Sequence, residues 1–361
     1  AGGSGGEQSS LQPGRQGTHD QAAPAKKHEQ TKFGIRLIWI LLLFRRRLSR
    51  FQASRTEASS SAPEIPVELP SQPIPRPAHR YRLPALLQDI RLLDLLELSG
   101  TTLEAGRLAS VSQPTVSRRT RALAADFALV PNRRRQVGCC YGTSQAMRLL
   151  RLGCRAHRLS AGVARFGTDV LLQPLLTGCS WLLPAPPRFR PLDGWLELVR
   201  QGVLDGALVS GLEFQGEAPP LASELEFVSL GAVALDLAVS GRHPHPHPNG
   251  DQPGVLVPNR AVAEGLQRAL LQRGFSLKTA GNACHTPAQW LARLQQAGLA
   301  MPFPQVAPAD WWQPLTRLAQ PAPISVPLWL VLPEGWRQQA VLAHTAERLV
   351  YSPAQKYAPG A

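Results

Sequence analysis

Leu108-Ala-Ser-Val-Ser-Gln-Pro-Thr-Val-Ser-Arg-Arg-Thr-Arg-Ala-Leu123 is the stretch whose reading decides the fold of this chain. Ser110-Val111-Ser112 reads as a turn. Ser112 can cap the helix that follows, because its hydroxyl accepts from an orphan N–H, and Pro114 suits the first helical turn, where no N–H is needed. Beyond Gln113, Val116, Thr120 and Leu123 recur every three to four residues and predict the inner stripe of that helix. Before the turn, Thr101-Thr102-Leu103-Glu104 is an N-cap with an acidic first turn, opening a short helix that carries Leu103, Ala105, Leu108 and Ala109. Further back, Leu86, Ile90, Leu93 and Leu96 predict an amphipathic helix over Leu86–Leu98 that Gly100 ends. Helix, three-residue turn, helix is the arrangement in which one helix braces another inside the DNA major groove.

The charge is distributed to match. Of a net +14, residues 76–160 hold fifteen Lys/Arg against five Asp/Glu, residues 1–75 hold ten against six, and residues 161–361 hold fourteen of each. A cationic excess of which most sits in 85 residues is what a nucleic-acid-binding module joined to a neutral domain shows, whereas a merely soluble basic protein spreads it. The alternative at this level is a solvated basic face with no partner.

The five cysteines (Cys139, Cys140, Cys154, Cys179, Cys284) are odd in number and lack C-x-x-C or zinc-finger spacing, which points to reduced thiols in a cytosolic protein. Phe33–Phe44 (FGIRLIWILLLF) contains Arg36 and runs into Arg45-Arg46-Arg47. It is shorter than the roughly 20 apolar residues of a span and is followed by no small-residue cleavage site, so neither membrane anchoring nor export is expected.

Residues 1–75 are rich in Gly, Ser, Gln and Pro without sustained periodicity and are expected to be disordered. Between Tyr141 and Leu159, Met147, Leu149, Leu150, Leu152 and Leu159 alternate with Arg148, Arg151, Arg155 and Arg158, the pattern of a linker or dimerisation helix. After Ala161 the pattern changes. Strands are predicted at 163–166, 181–183, 207–209, 226–230, 232–239, 255–257, 277–280, 299–301 and 324–332, and helices at 170–176, 195–201, 262–273, 287–296 and 337–349. That alternation predicts mainly parallel sheets covered by helices, in two lobes.

The quoted stretch resembles the winged helix-turn-helix of LysR-type transcriptional regulators, whose phrase has the form L-x-V-S-Q-P-T-V-S-R-x-I-R-x-L-E, and the likeness runs from Ile90 to Leu129. Ala124 stands in place of the Glu, and Asn132-Arg-Arg-Arg135 stands near the family's basic wing. Three later stretches are similar to that family's effector domain, which has the type II periplasmic-binding fold: Leu171–Leu176, Gln201–Leu208 (QGVLDGAL) and Ala297–Pro302 (AGLAMP). The resemblance implies an α-helical winged helix-turn-helix domain followed by an α/β two-lobed periplasmic-binding-protein-like effector domain. It divides the chain into an extension (1–80), the DNA-binding domain (81–138), a linker and dimerisation helix (139–160), an effector-binding domain (161–352) and a tail (353–361). Lobe I then takes about 161–235 and 321–352, and lobe II about 236–320.

Gln113, Pro114, Thr115, Ser117, Arg118 and Arg121 share the outward face or the N-terminal end of the second helix and are the expected DNA contacts. Arg reads guanine or grips phosphate, Gln pairs with adenine, and Ser or Thr meets phosphate or thymine. The bland reading of the same residues is a solvated helix surface. Arg119 is read as turned to the flank, and Arg133, Arg134 and Arg135 as wing contacts to phosphate or a solvated basic loop. For an effector, the cleft between lobes offers helix N-termini to an anion, and Thr168, Asp169 and Thr286 are the candidates there, against the alternative that the two threonines are ordinary N-caps.

His243-Pro-His-Pro-His-Pro248 is read as a loop, since alternating prolines splay the imidazoles and no metal site is expected. Cys284-His285 has no orienting third group for nucleophilic catalysis, and Trp311-Trp312 is read as packing. The expectation is therefore a non-enzymatic, cytoplasmic regulator without cofactor, binding double-stranded DNA as a homodimer or homotetramer under control of a small molecule. Two alternatives stand beside it. One is a regulator with a non-sensing effector domain; the other is a solute-binding protein or enzyme of the same two-lobed fold, which needs no basic helix-turn-helix.

Overall fold

The computed structural model describes residues 75–131, 139–141, 144–216, 218–240, 254–280, 287–306, 315–318 and 323–350. The expected N-terminal extension up to residue 74, Phe33–Phe44, the His-Pro run, Cys284-His285, Trp311-Trp312 and the tail lie outside them. All described residues belong to one compact unit.

Three helices open the structure: α1 (Gln88–Ser99), α2 (Thr102–Ala109) and α3 (Gln113–Asp126). Gly100 ends α1 in the left-handed region at φ 73°, returning its N–H to Leu96 O, and Thr101 then caps α2 by accepting from Glu104 N–H. A left-handed residue at this position is what glycine tolerates without a Cβ penalty. Leu86, expected on the inner stripe, is 59% exposed, because residues 85–87 form a 3-10 turn ahead of α1 and break its register.

Helix α1 is buried nearly all round because it meets three partners. Leu92, Leu95 and Leu96 pack with Ala105 and Val116 of the helix-turn-helix, and Ile90 and Leu93 pack with Leu123, Met147 and Cys154. Leu98 enters a third cluster with Trp195, Leu196 and Val199. The long helix α4 (Gln145–Ser160), capped by Ser144, follows.

The α/β portion holds helices α5 (Leu192–Arg200), α6 (Glu264–Leu271), α7 (Pro287–Ala297) and α8 (Ala340–Leu349). Its strands are β1 (Phe166–Gly167), β2 (Gly206–Ser210), β3 (Leu225–Ser240), β4 (Val255–Val257), β5 (Leu277–Thr279), β6 (Ala300–Pro304), β7 (Leu315–Arg317) and β8 (Ile324–Pro333). They form one sheet in the order β1-β2-β8-β3-β6-β4-β5, with β7 also on β3. The expectation of mainly parallel strands is corrected. β1/β2, β4/β5 and β4/β6 are parallel, but β2/β8, β3/β8, β3/β6 and β3/β7 are antiparallel.

Two long strands cause the mixing. β3 pairs first with β8 and then with β6 and β7, so it carries the chain from one half of the sheet to the other. The two strands expected at 226–230 and 232–239 are this single strand, interrupted by a register shift between Ser229 and Gly231, where Gly231 has φ 91°. The helix expected at 170–176 is reduced to a 3-10 turn at Gln173–Leu176. Pro174 has no N–H with which to continue an α-helical ladder.

Candidate nucleic-acid interface and interlobe cleft

Helix α3 is held from both ends. Ser112 accepts from Thr115 N–H, Pro114 occupies the first turn, and Val116, Thr120 and Leu123 are buried, the stripe that the spacing predicts. Thr120 hides its hydroxyl by donating to Val116 O at 2.8 Å. Gly106 is where α2 comes closest to the turn: a Cβ there stands 2.7 Å from Val111 O.

The opposite face carries the charge. Arg118 and Arg121 are exposed one turn apart, and neither has an ion-pair partner among the described residues. Arg119 is withdrawn from that face by an ion pair with Asp89. Gln113 and Pro114 are exposed at the helix start, and Thr115 and Ser117 are half-buried beside them. Gln113 Nε2 donates to Thr102 Oγ1 at 3.0 Å, which joins the starts of α3 and α2. The fold thus brings six of the expected DNA contacts to one helix face and its N-terminal end. Arg133, Arg134 and Arg135 lie outside the described residues.

Solved structures similar to this chain were found at low identity. ArgP from Mycobacterium tuberculosis is 18% identical with a TM-score of 0.41, over 73% of this chain and 97% of that one. CbnR, a LysR family transcriptional regulator, is 16% identical with a TM-score of 0.40, over 74% and 99%. A full-length OxyR variant from Pseudomonas aeruginosa is 13% identical with a TM-score of 0.39, over 74% and 95%. No family model and no curated protein matches the chain. Likenesses of this size carry no functional conclusion, which rests instead on the geometry of α3 and its supports.

Those supports include residues that the sequence did not single out for any role. On α4, Arg151, Arg155 and Arg158 are buried with Met147, Cys154 and Leu159, while Leu149 is 45% exposed. Arg151 Nε donates to Asp94 Oδ1 of α1 at 2.7 Å. Arg158 grips Asp205 through both carboxylate oxygens at 2.6 and 2.8 Å, and Asp205 also accepts from Arg165 N–H. Burial works against ionising Asp205, but Arg158 and Arg155 hold its carboxyl below the usual range. The signal for this stripe was the i, i+4, i+7 spacing of the three arginines, which is the period of a buried helix face.

A second contact reaches the helix-turn-helix from the loop before α5. Arg190 Nη2 donates to Glu97 O and Leu98 O at 2.7 and 2.9 Å, and Arg188 Nη1 donates to Ser99 O at 3.0 Å. Two cations thereby meet the carbonyl end of α1, where the helix dipole is negative. Burial lowers Arg190 to about 10, and the neighbouring Arg188 adds to the effect. Its guanidinium lies over the Trp195 ring at 5.7 Å. Nearby, the Glu97 carboxylate accepts from Cys140 and Tyr141 N–H.

Arg190 also lines a cleft together with Asp169, Trp195, Ser210, Glu213 and Leu266. The open space among these walls is about 40 Å³, which admits a few waters at roughly 10–15 Å³ each but no metabolite. Asp169 accepts from Leu171 and Leu172 N–H at 2.8 and 2.9 Å, so its carboxylate is engaged by its own turn. Thr168 is buried and donates to Leu208 O across β2, a structural bond, and it is not among the cleft's walls. Thr286 lies outside the described residues.

Proposed function

We propose that this chain is a sequence-specific, double-stranded-DNA-binding transcription regulator of the LysR type, in keeping with the resemblance read from Ile90 to Leu129. One observation carries the reading: Arg118 and Arg121 stand exposed, with no ion-pair partner among the described residues, on the side of α3 opposite its buried stripe, while α1, α2 and α4 fix that helix from behind. A helix so braced can enter the major groove with its N-terminal residues at base edges. Gln113, Pro114, Thr115 and Ser117 occupy that end, and Arg133, Arg134 and Arg135 supply flanking phosphate contacts. The regulator works in the cytoplasm, bound to the nucleoid, as a homodimer or homotetramer. The outer side of α4, where Leu149 is exposed and Leu152 half-buried, provides the surface for pairing two copies across half-sites about one helical turn apart or a multiple of that.

The test is a mobility-shift titration of the full chain on genomic operator fragments at several salt concentrations. Binding that weakens with salt and discriminates between fragments is the expected result. Affinity and salt slope both unchanged in Arg118→Ala and Arg121→Ala overturn the assignment.

Control by a small molecule held between lobes I and II, with Asp169 and Thr286 at the site, is the second part of the proposal; Thr168, expected there too, is bonded to Leu208 O and stands outside the cleft's walls. The narrowness of the cleft favours a competing reading, a regulator whose effector domain does not sense. Calorimetry against a metabolite panel separates them, since a sensing domain gives at least one saturable binder.

A further inference from the structure

A second cavity shares no wall residue with the cleft that Arg190 lines. On α4, Arg148, Leu152 and Arg155 fall at i, i+4 and i+7, the spacing of one helix stripe, and all three line this cavity. Arg200, the last residue of α5, stands on another side. The remaining wall comes from Glu224, just ahead of β3, and from the turn 333–336 at the end of β8, in which Trp336 N–H returns to Pro333 O. Glu334 N–H donates to Glu224 O at 2.9 Å and ties these two loops together. The open space is about 220 Å³, enough for more than ten waters at roughly 10–15 Å³ each and hence for a small metabolite.

The floor of the cavity is cationic. Arg155 is 1% exposed, and burial lowers it to about 10, so it stays charged at neutral pH. Its Nη2 donates to Val199 O and Leu204 O. Its Nε has no hydrogen-bond partner among the described residues and stands 3.5 Å from Asp205 Oδ1. Asp205 accepts instead from the Arg158 guanidinium and from Arg165 N–H. One carboxylate therefore serves two buried guanidiniums, which leaves a positive surplus beside Arg155.

At the rim, Arg148 is matched by Glu224 at 2.6 Å. Arg200 Nη1 is 3.5 Å from Glu197 Oε2, a carboxylate whose other oxygen accepts from Gln201. Glu334 is exposed and has no ion-pair partner among the described residues. The Trp336 ring centre lies 5.7 Å from the Arg155 guanidinium carbon, and Leu152 and Pro333 extend that apolar wall. Two cations and one free carboxylate around an apolar wall complement a molecule that carries both charges and a hydrocarbon part. A plain anion would leave Glu334 opposed, and a plain cation would face the surplus at Arg155.

We propose that this cavity is a binding site for a free α-amino acid with an apolar side chain: the carboxylate pairs with Arg155 and Arg200, the ammonium with Glu334, and the side chain lies on Trp336, Leu152 and Pro333. The site is distinct from the cleft and does not rest on the DNA-binding reading. A ligand there joins α4 to the ends of α5 and β8, and so steadies the helix whose Arg151 holds α1.

Calorimetry on the full chain with L-alanine, L-valine, L-leucine and L-phenylalanine tests it. At least one of them binds saturably, at one site per chain. The matching acid without the amino group, and the matching amine without the carboxylate, each bind roughly ten- to a hundredfold more weakly, the range for losing a hydrogen bond to a charged group. Glu334→Gln weakens the amino acid by that factor and leaves the deaminated acid unchanged. Arg200→Gln weakens amino acid and acid alike and leaves the amine unchanged. Both side chains reach solvent, so both variants keep the fold, and an unchanged thermal midpoint without ligand verifies it.

Saturable binding by none of the four amino acids overturns the proposal. So does an acid that binds as tightly as its amino acid, which makes this a plain anion site. Affinity unmoved in both variants overturns it too, because the ligand then sits elsewhere. No DNA is present in these titrations, and none of their outcomes bears on the regulator reading.

Discussion

Arg151 Nε donates to Asp94 Oδ1 at 2.7 Å with both side chains at or below 1% exposure, so the long helix α4 is tied to α1 by a fully buried ion pair. Burial works against the Arg151 charge, but Asp94 more than compensates and holds its pKa above the usual value. Because removing one partner strands a charge in the interior, Asp94→Ala is expected to cost about 3–5 kcal/mol. Replacing both partners together by leucine and methionine should cost much less. Urea unfolding of the two variants checks this, and equal losses in both show that packing rather than charge holds the junction.

Arg188 and Gly100 form a second such junction. A Cβ on Gly100 would stand 2.0 Å from Arg188 Nη1, which donates to Ser99 O. Gly100→Ala carries a left-handed backbone penalty of about 1–2 kcal/mol and also displaces that guanidinium. The thermal midpoint should fall, and the double variant with Arg188→Ala should lose less than the sum of the two, since one contact is removed twice.

On α3 the three arginines are expected to part company. Arg118→Ala and Arg121→Ala each lower the slope of log affinity against log salt by about 0.9 if one phosphate contact is lost. Arg119→Ala, whose guanidinium is engaged by Asp89, leaves that slope nearly unchanged and acts on stability instead. A slope that falls for Arg119 and not for the other two reverses the assignment of the helix face.

Stability should also depend on pH through Asp169. Burial raises its carboxyl from 3.8 to about 6, against the lowering effect of the Leu172 and Leu171 N–H bonds. The folded state therefore holds this proton more tightly than the unfolded chain. This contribution makes stability fall as pH rises from about 4 to 6 and become level above that. Asp169→Asn, which keeps an oxygen for those N–H groups, should flatten this part of the profile in denaturation midpoints taken across the window. Asp205, whose carboxyl is lowered, works in the opposite sense, so comparison of the two chains isolates Asp169.

The helix-turn-helix was legible because its determinants are local. Ser112 caps, Pro114 starts and Gly100 stops a helix through bonds made within four residues, and the burial of Val116, Thr120 and Leu123 follows from their spacing alone. The sheet was less legible. A strand pattern states that a segment is extended, not which neighbour it pairs with or in which direction, so the antiparallel crossing of β3 and β8 could not be read from Leu225–Ser240 or Ile324–Pro333.

The amino-acid order by itself determined the three helices between Gln88 and Asp126, the concentration of most of the net positive charge in residues 76–160 and the outward placement of Arg118 and Arg121. Tertiary structure alone decided which charges are usable. Arg151, Arg155 and Arg158 look in sequence like further basic surface, yet they lie inside against Asp94 and Asp205, and Glu213 meets the start of a helix more than fifty residues away. Electrostatic energy depends on distance and on the exclusion of water, and neither is set until the chain has folded.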